Sequence, residues 1–425
     1  MNVFMVGWEF PPFISGGLGT ACYGLTKAMD RMGIKINFVL PKAAGGALSE
    51  NLNLLAPGCK GTGCGEFKNI KFNIVQSSLQ AYTDFGDYQS RLEQLKESRK
   101  ACGTAEGCED FDDEALRFGN SLCQEVNRYA GEVARLAGSK NFDIVHAHDW
   151  MTFPAGAAAA KISGKPLVAH VHSTEFDRSG ENVNQVIYDI ERRGMHLARR
   201  VIAVSEFTRG IIIKRYGVSE RKVEVVYNGV EQERLDRWAE TTQKKKNDRL
   251  VLYLGRITMQ KGPEYFIAAA KKVLEKVDDV KFVMAGSGDM MHRMVAMAAN
   301  QGLGKKVLFT GFLRGDQVAR AYRMADLFVM PSVSEPFGIA PLEAINHNVP
   351  VIISKQSGIS EILVNALRVD FWDINEMANK MVAVLKYKPL KASLIKNGSE
   401  EVKQFRWENS ARMCVDIYND VLRTA

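Results

Sequence analysis

The stretch Val329–Ile353, "VMPSVSEPFGIAPLEAINHNVPVII", decides how this chain must be built. Its two ends are short apolar runs with β-branched residues, the pattern of strands buried on both faces. Between them "FGIAPLEAINH" starts a helix near Gly338. Two buried strands joined by a helix make a parallel crossover unit. The segment also carries two carboxylates, Glu335 and Glu343, and contains no Lys or Arg. Acids in so apolar a setting need partners, and here they are expected to meet hydroxyls of a bound ligand.

The same alternation runs along most of the chain. "NVFMVG", "KINFVLP", "FDIVHA", "KPLVAHV" and "RVIAVS" read as strands in the first half, and "LVLYLG", "VKFVMAG", "KVLFTG", "DLFVMPS" and "VPVIIS" in the second, each followed by a helix-compatible segment. The expected class is α/β, with two tandem doubly wound Rossmann-like domains facing each other across a cleft. A length of 425 residues also calls for at least two cores. The expected division is residues 1–200, residues 201–405, and a terminal amphipathic helix over 406–425 that docks back on one of the domains. The polar run "EQERLDRWAETTQKKKND" is expected to bridge the domains. Residues 43–120 break the rhythm and read as an elaborated, Cys-rich insertion whose tail becomes a long amphipathic helix up to Leu136.

Composition excludes several classes. Hydrophobic content of 46% with 25% charged residues is that of a globular protein, not of a disordered chain. No apolar run reaches membrane-spanning length and no secretory leader is visible, so a cytoplasmic location is expected. The net charge of +7 suits an anionic ligand and is too dilute to indicate nucleic acid. Seven cysteines, five of them between Cys59 and Cys123, lack zinc-knuckle spacing and read as free thiols.

Motifs cluster at strand ends. "FPPFISGGLGTACYG" places Gly16 and Gly17 between a strand and a helix, where backbone N–H groups can approach an anion. It does not fit a dinucleotide fingerprint, because Cys22 stands where the third glycine belongs. "VHAHDW" and "VAHVHST" each end in His-x-His, so His146 and His148 share one face, as do His170 and His172. The favoured reading puts His148, His172 and Asp149 in the cleft and keeps His146 and His170 as core residues. Metal binding by the four is the lesser alternative, and no metal or other cofactor is expected. "LYLGRITMQKG" sets Arg256 and Lys261 behind a strand, a placement that fits a diphosphate. The Asp-x-Asp within "EDFDDE" (Glu109 to Glu114) reads as the acidic first turn of a helix.

Together these residues resemble the retaining nucleotide-sugar glycosyltransferases of the GT-B fold, the family that includes glycogen and starch synthases. The motifs are "GGLG", "HAHDW", "VHSTE", "VSEFTR", "VVYNGV", "GRITMQKG" and "EPFGIAPLE", the last with two glutamates separated by seven residues. The resemblance covers nearly the whole chain outside the insertion. It implies that Arg256 and Lys261 hold the donor diphosphate, and that Gly16, Gly17 and the amides near Gly338 and Ile339 contact phosphate or sugar. It further implies that Glu335 binds the donor sugar, Glu343 the ribose, His172 with Asp149 the transferred sugar, and Phe312 and Leu313 the base. The implied chemistry is front-face displacement without a protein nucleophile or a metal. ADP-glucose or UDP-glucose is the expected donor and a glycan the expected acceptor, as in α-1,4-glucan synthesis. Two departures stand out: Ile14 where bacterial glycogen synthases carry Lys, and Ser357-Gly358 where many relatives have two glycines. Transfer to a lipid-linked or cell-surface polysaccharide, nucleotide-sugar epimerisation, and sensing without turnover are the alternatives. An NAD-dependent dehydrogenase is disfavoured for want of a glycine fingerprint followed by a ribose-binding acid.

Overall fold

The computed structural model describes residues 1–11, 16–42, 67–77, 114–231 and 249–424. Thirteen strands form two sheets among these residues. The first holds β1 (Asn2–Val6), β2 (Lys35–Lys42), β3 (Ile70–Gln76), β4 (Ile144–His148), β5 (Leu167–Val171), β6 (Arg200–Ala203) and β7 (Val223–Val225) in the order β3-β2-β1-β4-β5-β6-β7. The second holds β8 (Arg249–Leu254), β9 (Val280–Ala285), β10 (Val307–Gly311), β11 (Leu327–Met330), β12 (Val351–Ser354) and β13 (Leu367–Val369) in the order β10-β9-β8-β11-β12-β13. All described pairings between these strands are parallel.

The strand orders locate the crevices. The winding reverses between β1 and β4 in the first sheet and between β8 and β11 in the second. At such a reversal the connections leave in opposite directions and open a crevice beyond the carboxyl ends of the two strands. The central strands are wholly buried, β4, β5, β11 and β12 along their full length. That explains why they read as continuous apolar runs.

Two boundaries differ from the sequence expectation. The division at residue 200 falls on the first residue of β6, and both β6 and β7 hydrogen-bond into the first sheet. The changeover therefore lies between Val225 and Arg249. The polar stretch does occupy that interval, but residues 232–248 lie outside the described ones. The irregular region also conceals a strand: β3 pairs with β2 along seven residues, and its half-polar face hides it from a search for apolar runs. The cysteine pairs Cys59/Cys64 and Cys102/Cys108, the Asp-x-Asp and Ile14 lie outside the described residues. Cys22, Cys123 and Cys414 are free thiols.

The terminal helix, Trp407–Arg423, crosses back to the first domain. Trp407, Ala411, Cys414, Tyr418 and Val421 are buried, a spacing of three and four that lines one face. Trp407 sits over Gly24 of the helix Gly17–Arg31, Arg31 pairs with Glu408 at 2.7 Å, and Arg200 pairs with Asp420 at 2.7 Å. A Cβ at Gly24 would stand 2.2 Å from the Trp407 ring. Gly24→Ala should therefore lower stability by about 1–3 kcal/mol, the usual cost of overpacking. Chemical denaturation measures it, and an unchanged midpoint would show that the helix does not bear on Gly24.

Candidate functional site

The loops that follow β8 and β11 meet at the second crevice. Val333 N–H donates to Gln260 O at 2.9 Å, which holds the loop after β11 against the turn carrying Lys261. Lys261 Nζ lies 2.6 Å from Glu335 Oε2, and Ser332 Oγ donates to the same oxygen at 3.1 Å. The backbone of Glu335 is pinned as well. Its N–H donates to Gln356 O at 3.0 Å, and its carbonyl accepts from Gly358 N at 2.9 Å. Arg256 donates to Gln260 Oε1 at 3.1 Å, and its carbonyl accepts from the Tyr253 hydroxyl.

This corrects the expectation that the two glutamates wait unpartnered for a ligand. Glu335 has a cation from a segment more than seventy positions away, and Glu343 accepts from the Tyr322 hydroxyl at 2.9 Å. Neither partner is visible in the local sequence because each arrives through the fold. Burial, reinforced by the Glu343 carboxylate, pushes the Tyr322 hydroxyl well above its ordinary pKa and keeps it a donor. The helix that carries Glu343 spans Ile339–Asn346 and starts at Gly338, whose φ of 107° is a conformation that favours glycine.

The first crevice is lined from β1, β4 and β5. Gly16 N–H donates to Glu9 Oε1 at 2.7 Å, so one amide assigned to an anion is engaged by a carboxylate of the chain itself. Gly17 begins the following helix and faces open space. Asp149 adopts φ 61°, a strained value for a residue with a side chain. Its Oδ1 accepts from His172 N at 2.6 Å and from Ser173 N at 3.3 Å. Asp149 is thus buried and works on the backbone of His172, where the sequence reading had it facing the cleft. Burial raises its pKa to about 7 against the lowering effect of those N–H donors. His148 is likewise fully buried, and of the four imidazoles His172 alone is only partly buried.

Contacts between the two domains were not legible in the sequence. Ser334 Oγ donates to Asp177 Oδ1 at 2.6 Å, next to Glu335. Ser205 and Thr208 hydroxyls donate to Pro336 O at 2.5 and 3.2 Å. Glu361 accepts from the N–H groups of Glu206 and Phe207 at 3.0 and 2.5 Å, capping a helix of the opposite domain. Asp177 closes a capping box with Thr174, and the spacing Thr-x-x-Asp was the signal available for it. A second hollow of about 160 Å³ lies between Gly24, Lys27, Arg31 and Trp407, but Lys27 already pairs with Glu231 and Arg31 with Glu408.

The structure therefore brings Arg256, Lys261, Glu335, Glu343, Gly338 and Ile339 to one crevice, and His172, Asp149, Gly16 and Gly17 to the other. Phe312 and Leu313 follow the edge strand β10, Phe312 exposed with Arg314 over its ring at 5.4 Å. An acid and a base held in one pair leave little net charge until a ligand enters. An anion at Lys261 and hydroxyls at Glu335 would share that pair without displacing it.

The chain is similar to known glycosyltransferases along most of its length. Residues 110–234 match the model of Glycosyltransferase Family 4, and residues 236–401 match that of Glycosyl transferases group 1. An uncharacterized glycosyltransferase of Methanocaldococcus jannaschii is 28% identical over 98% of both chains. A UDP-Gal:alpha-D-GlcNAc-diphosphoundecaprenol alpha-1,3-galactosyltransferase of Escherichia coli is 27% identical over 74% of this chain and 86% of its own. The glycogen synthase of Mycobacterium tuberculosis is 23% identical over 86% and 80%. Among solved structures, Anabaena HepE in complex with UDP and glucose superposes with a TM-score of 0.71 at 19% identity, covering 99% of this chain and 100% of that one.

The Lys261–Glu335 pair makes a direct prediction. A cycle of Lys261→Met, Glu335→Gln and the double variant should show about 1–3 kcal/mol of coupling in denaturant unfolding, as expected for neighbours within one network. Strictly additive losses would mean that the pair does not form in solution.

Proposed function

We infer, for a chain that belongs to the GT-B glycosyltransferases of family 4, that it transfers a sugar from a nucleoside-diphosphate donor to a glycan with retention of anomeric configuration. The observation that carries the reading is the Lys261–Glu335 pair at the β8/β11 reversal, with Arg256 on the same loop as Lys261 and the partly buried His172 belonging to the facing domain. Both cations stand behind a strand end, where a diphosphate is bound in open sheets.

Lys261 and Arg256 neutralise the donor diphosphate and the charge that grows on it as the glycosidic bond breaks. Amides at the start of the helix Ile339–Asn346 add to this field. Glu335 holds hydroxyls of the donor sugar and Glu343 holds the ribose. His172, fixed by Asp149 through its backbone, contacts the transferred sugar beside the anomeric carbon. The acceptor oxygen bonds to that carbon on the face the diphosphate leaves, and its proton passes to a departing phosphate oxygen. Phe312 and Leu313 flank the base.

Glucose is the proposed sugar and an α-1,4-glucan the proposed acceptor, supported by the likeness to a glycogen synthase and by solved relatives that hold UDP or UDP-glucose. Likeness to an undecaprenol-diphosphate galactosyltransferase supports a lipid-linked acceptor as the second reading. Release of nucleoside diphosphate from ADP- and UDP-sugars, with glucan or with a lipid-linked glycan, separates the two. Lys261→Ala and Glu335→Ala, confirmed folded, should each lower kcat about 10²–10³-fold. Glu343→Ala should mainly raise the KM for donor. Absence of transfer from every donor to both acceptor classes would refute the assignment.

A further inference from the structure

Four imidazoles stand side by side on one face of β4 and β5. The register pairs His148 with His170 across the strands, and His146 and His172 flank them. The rings of His146 and His148 stack at 4.3 Å, and those of His170 and His172 at 4.2 Å. One nitrogen from each of His146, His148 and His170 lies within 4.8 Å of the other two. The proposed transfer chemistry uses only His172.

The hydrogen bonds around the cluster do not satisfy it. His146 Nε2 and His170 Nδ1 are 3.2 Å apart, His148 Nδ1 and His172 Nε2 are 2.9 Å apart, and His146 Nδ1 meets the Tyr418 hydroxyl. His148 Nε2, His170 Nε2 and His172 Nδ1 are buried without a partner. An unpaired buried polar group costs about 1–3 kcal/mol, and a ligand at His148 Nε2 would remove one of the three.

We propose that His146, His148 and His170 form a binding site for a divalent transition metal of the zinc class. His-x-His on one strand with a third histidine on its parallel neighbour sets three donors on one face. Zinc–nitrogen bonds of about 2.0–2.1 Å place two bound nitrogens roughly 3.3 Å apart in a tetrahedral site. His146 Nε2 and His170 Nδ1 already stand near that separation, and the metal takes the place of the proton between them. His148 supplies Nε2, and water takes the fourth position. The outer partners are in place: Tyr418 on His146 Nδ1 and His172 on His148 Nδ1, as expected of second-shell groups that orient metal-bound imidazoles. Burial holds the rings neutral, the form that ligates. The site would tie the terminal helix, through Tyr418, to the strand ends beneath His172.

The test uses the full chain with any affinity tag removed, stripped with chelator, loaded with zinc sulfate and desalted. Elemental analysis should find about one more zinc per chain in the native protein than in His170→Ala. A Cys59/Cys64/Cys102/Cys108→Ser variant should retain that difference. Cobalt(II) should give tetrahedral visible bands without thiolate charge transfer. Tyr418→Phe, which keeps all three ligands, should weaken zinc affinity about 10–100-fold; this covers the case in which His170→Ala fails to fold. Equal zinc in native protein and His170→Ala, or no change in affinity in Tyr418→Phe, would overturn the proposal.

Discussion

A parallel sheet forces every connection to cross back over one face and begin again at the same edge. All strand carboxyl ends therefore gather on one side, and at the place where the winding reverses two neighbouring connections must part. The rest of this molecule depends on that constraint, met once between β1 and β4 and again between β8 and β11. Most residues with chemistry to offer follow these four strands, namely Gly16 and Gly17, Asp149, Arg256 and Lys261, and Glu335, while His172 follows the neighbouring β5. They gather because the chain has nowhere else to open.

Two crevices do not make one site until the domains hold each other. Part of the holding is done by short polar contacts beside the chemistry: Ser334 on Asp177, Ser205 and Thr208 on the carbonyl of Pro336, and Glu361 on a helix N-terminus of the first domain. Apolar packing accompanies them, for buried residues of both domains belong to one cluster and the Tyr227 ring lies 6.1 Å from that of Phe337. The terminal helix supplies the complementary rigid element, since its apolar face is packed on the first domain with Trp407 against Gly24.

Burial is the chief influence on the ionisation of Asp149 and of the four histidines beside it. Asp149 is raised to about 7, yet its carboxylate binds backbone N–H groups of His172 and Ser173. Its work is to fix where the second strand end turns. The strained φ of Asp149 belongs to the same device, for it aims the carboxylate at the neighbouring strand.

What the sequence determined by itself was the alternation of strand and helix, the two-domain α/β class, and the residue types at the strand ends. Those follow from local periodicity and from turn chemistry, which depend only on near neighbours along the chain. It misplaced the domain division because β6 and β7 look the same whichever sheet they join. It missed β3 because one face of that strand is polar. Only the tertiary structure decided that Glu335 pairs with Lys261, that Glu343 rests on Tyr322, and that Asp149 and His148 are buried. Each of these joins segments distant in sequence, and an ion pair or a buried ring is set by the environment that assembly creates, which no local pattern encodes.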